Sequence, residues 1–577
     1  MAHALQSGLR DGGLRRGGLH AGLGNGSIFN IASLDLNFAK YKNIGSLVTF
    51  TRASSGTFVG SDGVLRTAVT NLSLRSEKLD EAGQWSVIGS GATLTATTDV
   101  AAPNGAMTAW TLTSSGAAAQ IQQAPTGISG ATYTGSFYIR RRSGTGTVNI
   151  RVSENINTPL VGVTSEWQRF SFTATSTSTT IRLGVNLSGI ADAVDLWGAQ
   201  LEQSTTVGEY IPTTSVINSA PRFDHNPTTG ESLGLLVREQ RTNLLLRSEE
   251  FGTTWTATRA SVSTDATLAP SGATTADKLV EDTTATNTHQ IQQTVTLVAN
   301  TTYATSFYIK SSERTELRLL FSAGTDGINA AFNLSTGVAT AQANTGLGVI
   351  ASATLTPVGN GWFRATATGI ISPLSTSATL TLRLLSSGSN SYTGDGTSGL
   401  FLWGAQLEAG AFATSYIPTT TATVTRAADV ASITGSNFSS WANNNEGTIF
   451  SDSSIIASQI KTQAVWELSG GTVLSSLRQP QGTANQFRAV IGGTFTGSPG
   501  TGASLTTGVT LAAVAYSGTA GRLQIGSVGT DATGSTLDAT SLSIGSLAGA
   551  SQLNGWIKRL CFWPARLPDA TLQQITQ

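Results

Sequence analysis

LWGAQLE occurs twice in this chain, as Leu196–Glu202 and as Leu402–Glu408. Each copy is followed by a second shared phrase, EYIPTT at 209–214 and SYIPTT at 415–420. Working outward, NLSLRSEKL opens at Asn71 and NLLLRSEEF at Asn243. Between opening and close lie IQQ (121–123 and 291–293), TYTGSFYIR (132–140) matched by TYATSFYIK (302–310), and EWQRFSFTAT (166–175) matched by GWFRATAT (361–368). The phrases keep one order in both copies, which marks an internal duplication. It defines two modules of ordinary domain size, 71–214 and 243–420.

The repeated phrases alternate with period two. Phe307 and Ile309 share one face of their segment, and Ser306 and Tyr308 share the other. Turn-forming Gly, Asn and Ser bound such runs, which predicts antiparallel strands with one wet face. A unit of this size built from short strands is expected to be a β-sandwich of jelly-roll type. The opening and closing phrases should then be neighbouring first and last strands. Trp197 and Trp403 would plug the core, while Gly198 and Gly404 would permit a bulge.

The flanks complete an all-β reading: tandem β-sandwich (jelly-roll) domains behind an extended N-terminal arm. Residues 1–27 repeat Gly-Leu at a spacing that fits neither helix nor strand. They read either as a floppy tail or as an anchoring arm that orders against a partner, with Leu9, Leu14, Leu19 and Leu23 filling successive pockets. Residues 28–70 suggest a small hairpin element, turning at Ser61-Asp62-Gly63. Residues 215–242 suggest a connector hairpin around NPTTG. Residues 421–577 form a third pattern of short alternating strands, a sandwich distinct from the repeat. It closes on a short helix opening at Pro568-Asp569.

Composition narrows the function. Charged residues are 12% of the chain, about half the usual ~25%, with 34 basic against 34 acidic. No basic footprint for nucleic acid follows from that balance. Cys561 is the single cysteine, so no disulfide framework exists, and its apolar neighbours predict a buried thiol. No run of ~18 apolar residues predicts a membrane span, and the start lacks the apolar core of a secretory signal. Folding in a reducing cytoplasm and release by lysis are expected.

Catalytic constellations are absent from the sequence. His225 beside Asp224 is expected to be a surface turn residue. The duplicated acids Glu77/Glu249 and Glu202/Glu408 mark strand ends and suggest structural hydrogen bonds or ion pairs. A structural calcium ion held by Glu202, Glu408 and Asp395 is the second reading and catalysis by the duplicated acids the third, and no other cofactor is expected. Sugar binding needs an aromatic platform with amide or charged partners. Trp85, Trp255, Tyr392 and Trp441, in or beside turn-rich segments, are the candidate platforms.

VTFTRASSGTFVGSDGVLRTA, PRFDHNPTTGESLGLLVREQRTNLLLRSEEF and YTGDGTSGLFLWGAQLEAGAFATSYIPTTTATVTRAADV resemble segments of tailed-bacteriophage head-fibre, head-spike and tail-fibre proteins. The resemblance covers about residues 45–577, with module one looking like a duplicate inserted between GVLRTA and PRFDHNP. It implies carbohydrate-binding-module-like repeats. EGTIF and NGWIKRLCFWPARLPDATLQQI resemble a concanavalin-like or laminin-G-like lectin domain. By that resemblance the chain is a non-enzymatic virion fibre or spike, often homotrimeric in such families. Its arm would contact capsid or tail proteins and its distal domain host-surface polysaccharide. A polysaccharide depolymerase and a ligand-free architectural protein are the rival readings.

Overall fold

The computed structural model describes residues 28–577, apart from 117, 155–156, 456–461, 473–474, 480–487, 492–493 and 497–508. The arm leucines Leu9, Leu14, Leu19 and Leu23 lie outside the described residues. The fold is all-β, and among the described residues every strand-to-strand pairing is antiparallel, as in Thr302–Lys310 against Ile370–Trp362. No helix among the described residues is long and apolar enough to cross a membrane.

Each module is a sandwich of two sheets. Module one pairs two five-stranded sheets, and module two pairs two six-stranded sheets. The LWGAQLE strand, Ala193–Glu202 or Gly399–Ala409, runs through the middle of one sheet in each. Leu402, Ala405 and Leu407 enter the sandwich core, a spacing that breaks strict alternation. The break falls at Gly404, whose φ of +63° only glycine adopts without strain. Gly198 does the same in module one at φ +65°. A Cβ there would also meet Tyr308 at 2.8 Å or Tyr138 at 3.1 Å.

The bulge corrects one expectation. Trp197 and Trp403 are buried, but they plug an outer cluster and not the main core. Trp403 packs with Tyr308, Trp362 and Tyr416, and Trp197 with Tyr138, Trp167 and Tyr210. The closing YIPTT phrase lies across this outer face, with Tyr210 and Tyr416 each 4.7 Å from their tryptophan. The face expected to be wet is therefore roofed, and Ser306 and Tyr308 are buried.

Opening and closing phrases meet, as the repeat predicts. Asn71 Nδ2 donates to the carbonyls of Ala199 and Ile211, and its Oδ1 accepts from Leu201 N–H. Asn243 repeats this with Ala405, Ile417 and Leu407. Gln200 and Gln406 accept from Ile211 and Ile417 N–H. One amide pair thus ties first segment, last strand and closing turn together.

The third sandwich corrects the expected domain boundaries. Leu34–Leu36 pairs with the strand Gly555–Trp563, as does Ser232–Val237. Thr49–Thr51 pairs with Val430–Thr434. Neither 28–70 nor 215–242 is therefore a separate element. Leu34, Phe38, Phe50, Leu235 and Val237 share one core with Ile433, Trp466 and Phe562. Apolar alternation in these short pieces needed a sheet to join, and the C-terminal sandwich supplies it. Both modules are insertions into that sandwich. The predicted helix forms at Asp569–Ile575, and Cys561 is fully buried.

A buried ionic hub joins the segments. Asp429 accepts from Arg52 at 2.7 Å, from Arg222 at 2.6 Å and from the Arg238 N–H at 2.8 Å. Burial opposes its charge, but Arg222, Arg52 and Arg426 hold its carboxyl down at about 2.

Candidate functional site

Three of the four expected sugar platforms are core residues. Trp85 and Trp255 are each 6% exposed and Trp441 is 5% exposed. Trp85 packs edge-on against Phe137, Trp255 against Phe251, and Trp441 between Phe438 and Phe562. The indole N–H of Trp85 caps the carbonyls of Leu74 and Arg75, so the ring closes the start of its module. Turn-rich flanks hid this role, because a turn can deliver a side chain inward. Tyr392 is partly exposed, but its ring packs against Arg314 and His289 and its hydroxyl donates to Glu281 at 2.7 Å. It is committed to holding a loop.

The duplicated acids are held by protein donors. Glu408 accepts from Gln406 Nε2, Thr414 N–H and Thr414 Oγ1. Glu202 accepts from Gln200 Nε2 and Gly208 N–H. Asp395 accepts from the N–H and hydroxyl of both Thr397 and Ser398, a turn that pulls its carboxyl well below the usual range. The three do not converge, and no group of three or more metal-ligating side chains occurs among the described residues. The hydrogen bonds expected of these acids are thus present, and the three side chains named for a calcium ion do not form one ligand set. His225 is not on the surface. It is 5% exposed, its Nδ1 lies 3.0 Å from the Val59 carbonyl, and Asp224 turns away to Val59 N–H and Trp556 Nε1.

One concave feature is duplicated along with the fold. Module one carries a groove of about 470 Å³ and module two one of about 540 Å³. Their walls correspond: Leu72 and Leu244, Leu74 and Leu246, Ser86 and Thr256, Gln122 and Gln292, Gln123 and Gln293. Every residue lining either groove is uncharged. The half-buried leucines of the opening phrase form an apolar floor.

Within each groove the two glutamines divide labour. Gln123 and Gln293 clamp the backbone of Leu74 and Leu246 through both amide atoms, which fixes the floor. Gln122 and Gln292 stand on the outer sheet face, where each Oε1 takes a bond from the neighbouring Gln120 or Gln290. Gln122 Oε1 also accepts from Arg151 Nη1 at 3.0 Å, and Gln122 is buried while Gln292 is half-buried. The repeated IQQ phrase was the sequence signal for this site. It was legible as a repeat and silent as chemistry, because only register shows which glutamine faces out.

A third groove of about 700 Å³ lies between module one and the C-terminal sandwich, lined by Tyr210, Pro212, Ile44, Phe50 and Phe223 with Lys42 and Glu209. Near the module-two counterpart of Tyr210 the chain's own hairpin intrudes, and Thr57 Oγ1 donates to the Tyr416 carbonyl at 2.6 Å.

No family model matches the chain, and no curated protein matches it. Among solved structures it is similar to the N-terminal CBM22-1–CBM22-2 tandem domain of Xyn10C from Paenibacillus barcinonensis, at 15% identity over 60% of this chain and 98% of that one, TM-score 0.22. It is similar to domains LG4-5 of the mouse laminin α1 chain, at 10% identity over 48% and 88%, TM-score 0.16. A sialidase of Trypanosoma rangeli also matches, at 10% identity over 91% and 98%, TM-score 0.22. At these scores the neighbours carry no argument about ligand or activity.

Proposed function

We propose that the chain is a structural, non-enzymatic adhesin that holds polysaccharide through its paired modules. The observation that carries this reading is the same uncharged groove built twice, with an aliphatic floor and a wall glutamine, Gln122 or Gln292. Such a surface suits a neutral pyranose. CH groups settle on leucine, amide N–H groups meet ring hydroxyls, and no ionic partner is required. Two weak sites on one rigid body raise avidity without either being strong alone.

The resemblance to fibre and spike proteins extends the reading. The chain would belong to a bacteriophage virion, with the arm of residues 1–27 docked to capsid or tail proteins. Several copies, a trimer in such assemblies, would face the host-surface glycan. The interlocking of modules and C-terminal sandwich suits such a part, because pulling on one module loads a core that three chain segments share.

The test is native affinity electrophoresis of the full chain in gels holding dextran, mannan, galactomannan or xylan. Retardation by at least one, lost in the Gln122→Ala/Gln292→Ala variant, supports the reading. Unretarded migration in all four contradicts it. Release of reducing ends during the run would replace adhesin with depolymerase.

A further inference from the structure

Beside the module-two groove three arginines stand at positions where module one has Asn149, Asn186 and Gly89, while module one's own Arg151 stands one row along and donates to Gln122 Oε1 at 3.0 Å. In module one the register places Asn149 opposite Asn186, and Asn186 opposite Gln120. In module two the same row reads Arg318 opposite Arg383, and Arg383 opposite Gln290. The third change follows Ile88 and Thr258, which pair with Gln120 and Gln290. The next residue is Gly89 in one module and Arg259 in the other.

Each of these arginines is unfavourable for the fold. Like charges directly opposed across strands repel, and Arg318 faces Arg383 in register. Arg259 sits at φ +51°, a left-handed conformation that its counterpart Gly89, at +124°, tolerates far better. No described carboxylate is within ion-pair distance of the three. Arg259 bonds the carbonyl and hydroxyl of Thr288, Arg383 bonds Gln290 Oε1, and Arg318 Nε has no partner. Glu316 is held by Asn333 and Gly388 N–H, and Asp282, bonded to Thr284, feels the charge of Arg259 but makes no ion pair with it. Burial, then the fields of Arg318 and Arg259, push the Arg383 pKa down.

Two repelling arginines in one row, with the left-handed Arg259 beside its end, are accounted for by an anion that bridges Arg318 and Arg383. Gln290 and Gln292 share the outer face by strand alternation, so the arginine row continues the wall of the module-two groove. We infer that module two binds an acidic polysaccharide, an anionic substituent of one sugar lying between Arg318 and Arg383 while a neighbouring uncharged residue occupies the groove. This rests on the glycan reading of the grooves and specifies the ligand of module two. Carboxylate and sulfate share the required chemistry, two or more oxygens that guanidinium forks can hold.

The full chain is tested against polygalacturonate and its fully methyl-esterified form, which differ only in the carboxyl charge, and against dextran sulfate and dextran. At least one acidic member should be held about tenfold or more tighter than its neutral twin, the range of one charge-assisted hydrogen bond or more. Preference for the carboxylate pair or the sulfate pair identifies the group. The preference should weaken as salt rises past about 0.1 M, where the Debye length falls to about 10 Å. It should vanish in Arg318→Asn/Arg383→Asn, which installs module one's residues, and shrink in Arg259→Gly, which relieves the left-handed arginine. Both variants should melt no lower than the parent without ligand, because each removes repulsion or strain. No preference in either pair, or one that survives the double variant, overturns the inference. If neutral polysaccharides still bind in that case, the glycan reading stands; if nothing binds, both fall.

Discussion

Trp362 in module two is 2% exposed, whereas its counterpart Trp167 in module one is partly open to solvent. The rings occupy equivalent places: Trp362 Nε1 donates to the Leu268 carbonyl and Trp167 Nε1 to that of Ala101. The difference is what lies on top. The hairpin Thr57–Thr67 covers module two, with Leu65 packed on the aromatic cluster and its N–H bonded to the Pro270 carbonyl. In module one Gly105, which corresponds to Gly272 beside Val64, has nothing within 4 Å of its missing side chain. Duplication therefore copied the scaffold and left the roof single. A second contrast lies at the closing turn. Thr414 gives its hydroxyl to Glu408, while module one has Gly208 there and leaves Glu202 Oε2 buried without a partner.

These contrasts can be broken or sharpened one at a time. The largest effect should come from Trp403→Ala, a cavity under a closed roof, which should cost about 3–5 kcal/mol in chemical denaturation. Trp197→Ala should cost less, because its cluster is already open on one side. Equal losses would mean the roof contributes nothing. Next, Leu65→Ala should destabilise module two by about 1–2 kcal/mol and raise acrylamide quenching of Trp362 toward that of Trp167. A smaller gain is expected from Gly208→Ser. The backbone there is not left-handed, and a hydroxyl would reach Glu202 as Thr414 reaches Glu408, adding about 0.5–1.5 kcal/mol. A loss would show that the approach of 3.0 Å to Glu202 is too tight for a side chain.

The smallest effect is electrostatic. Burial raises the carboxyls of Glu77 and Glu249, so their contribution is full below the ordinary glutamate value and is lost as pH rises through the raised one. Glu249→Gln should therefore stabilise module two at neutral pH and make no difference in acid. Glu77→Gln should do less, since Tyr210 is less buried than Tyr416.

Much of this was legible in the sequence. Period-two alternation and the ordered repeat fixed the all-β class, both modules and the meeting of Asn71 or Asn243 with the closing strand. The joining of 28–70 and 215–242 to the C-terminal sandwich was not legible, because short strands carry no label for the sheet they enter. The burial of Trp85, Trp255 and Trp441 was not legible, because flanking turns do not show which way a side chain points. Gln122 and Gln292 were hidden because adjacent glutamines look alike until register separates inward from outward. The arginine row was invisible for the same reason: Arg259, Arg318 and Arg383 are far apart in sequence and meet only across strands.

The account stands on the two grooves being working sites. Isothermal titration of the full chain with oligosaccharides from the neutral polysaccharide that retards it best is the most direct measurement. Two ligands per chain, falling to one in either Gln122→Ala or Gln292→Ala, is the predicted result. A stoichiometry and affinity that neither substitution changes would contradict it.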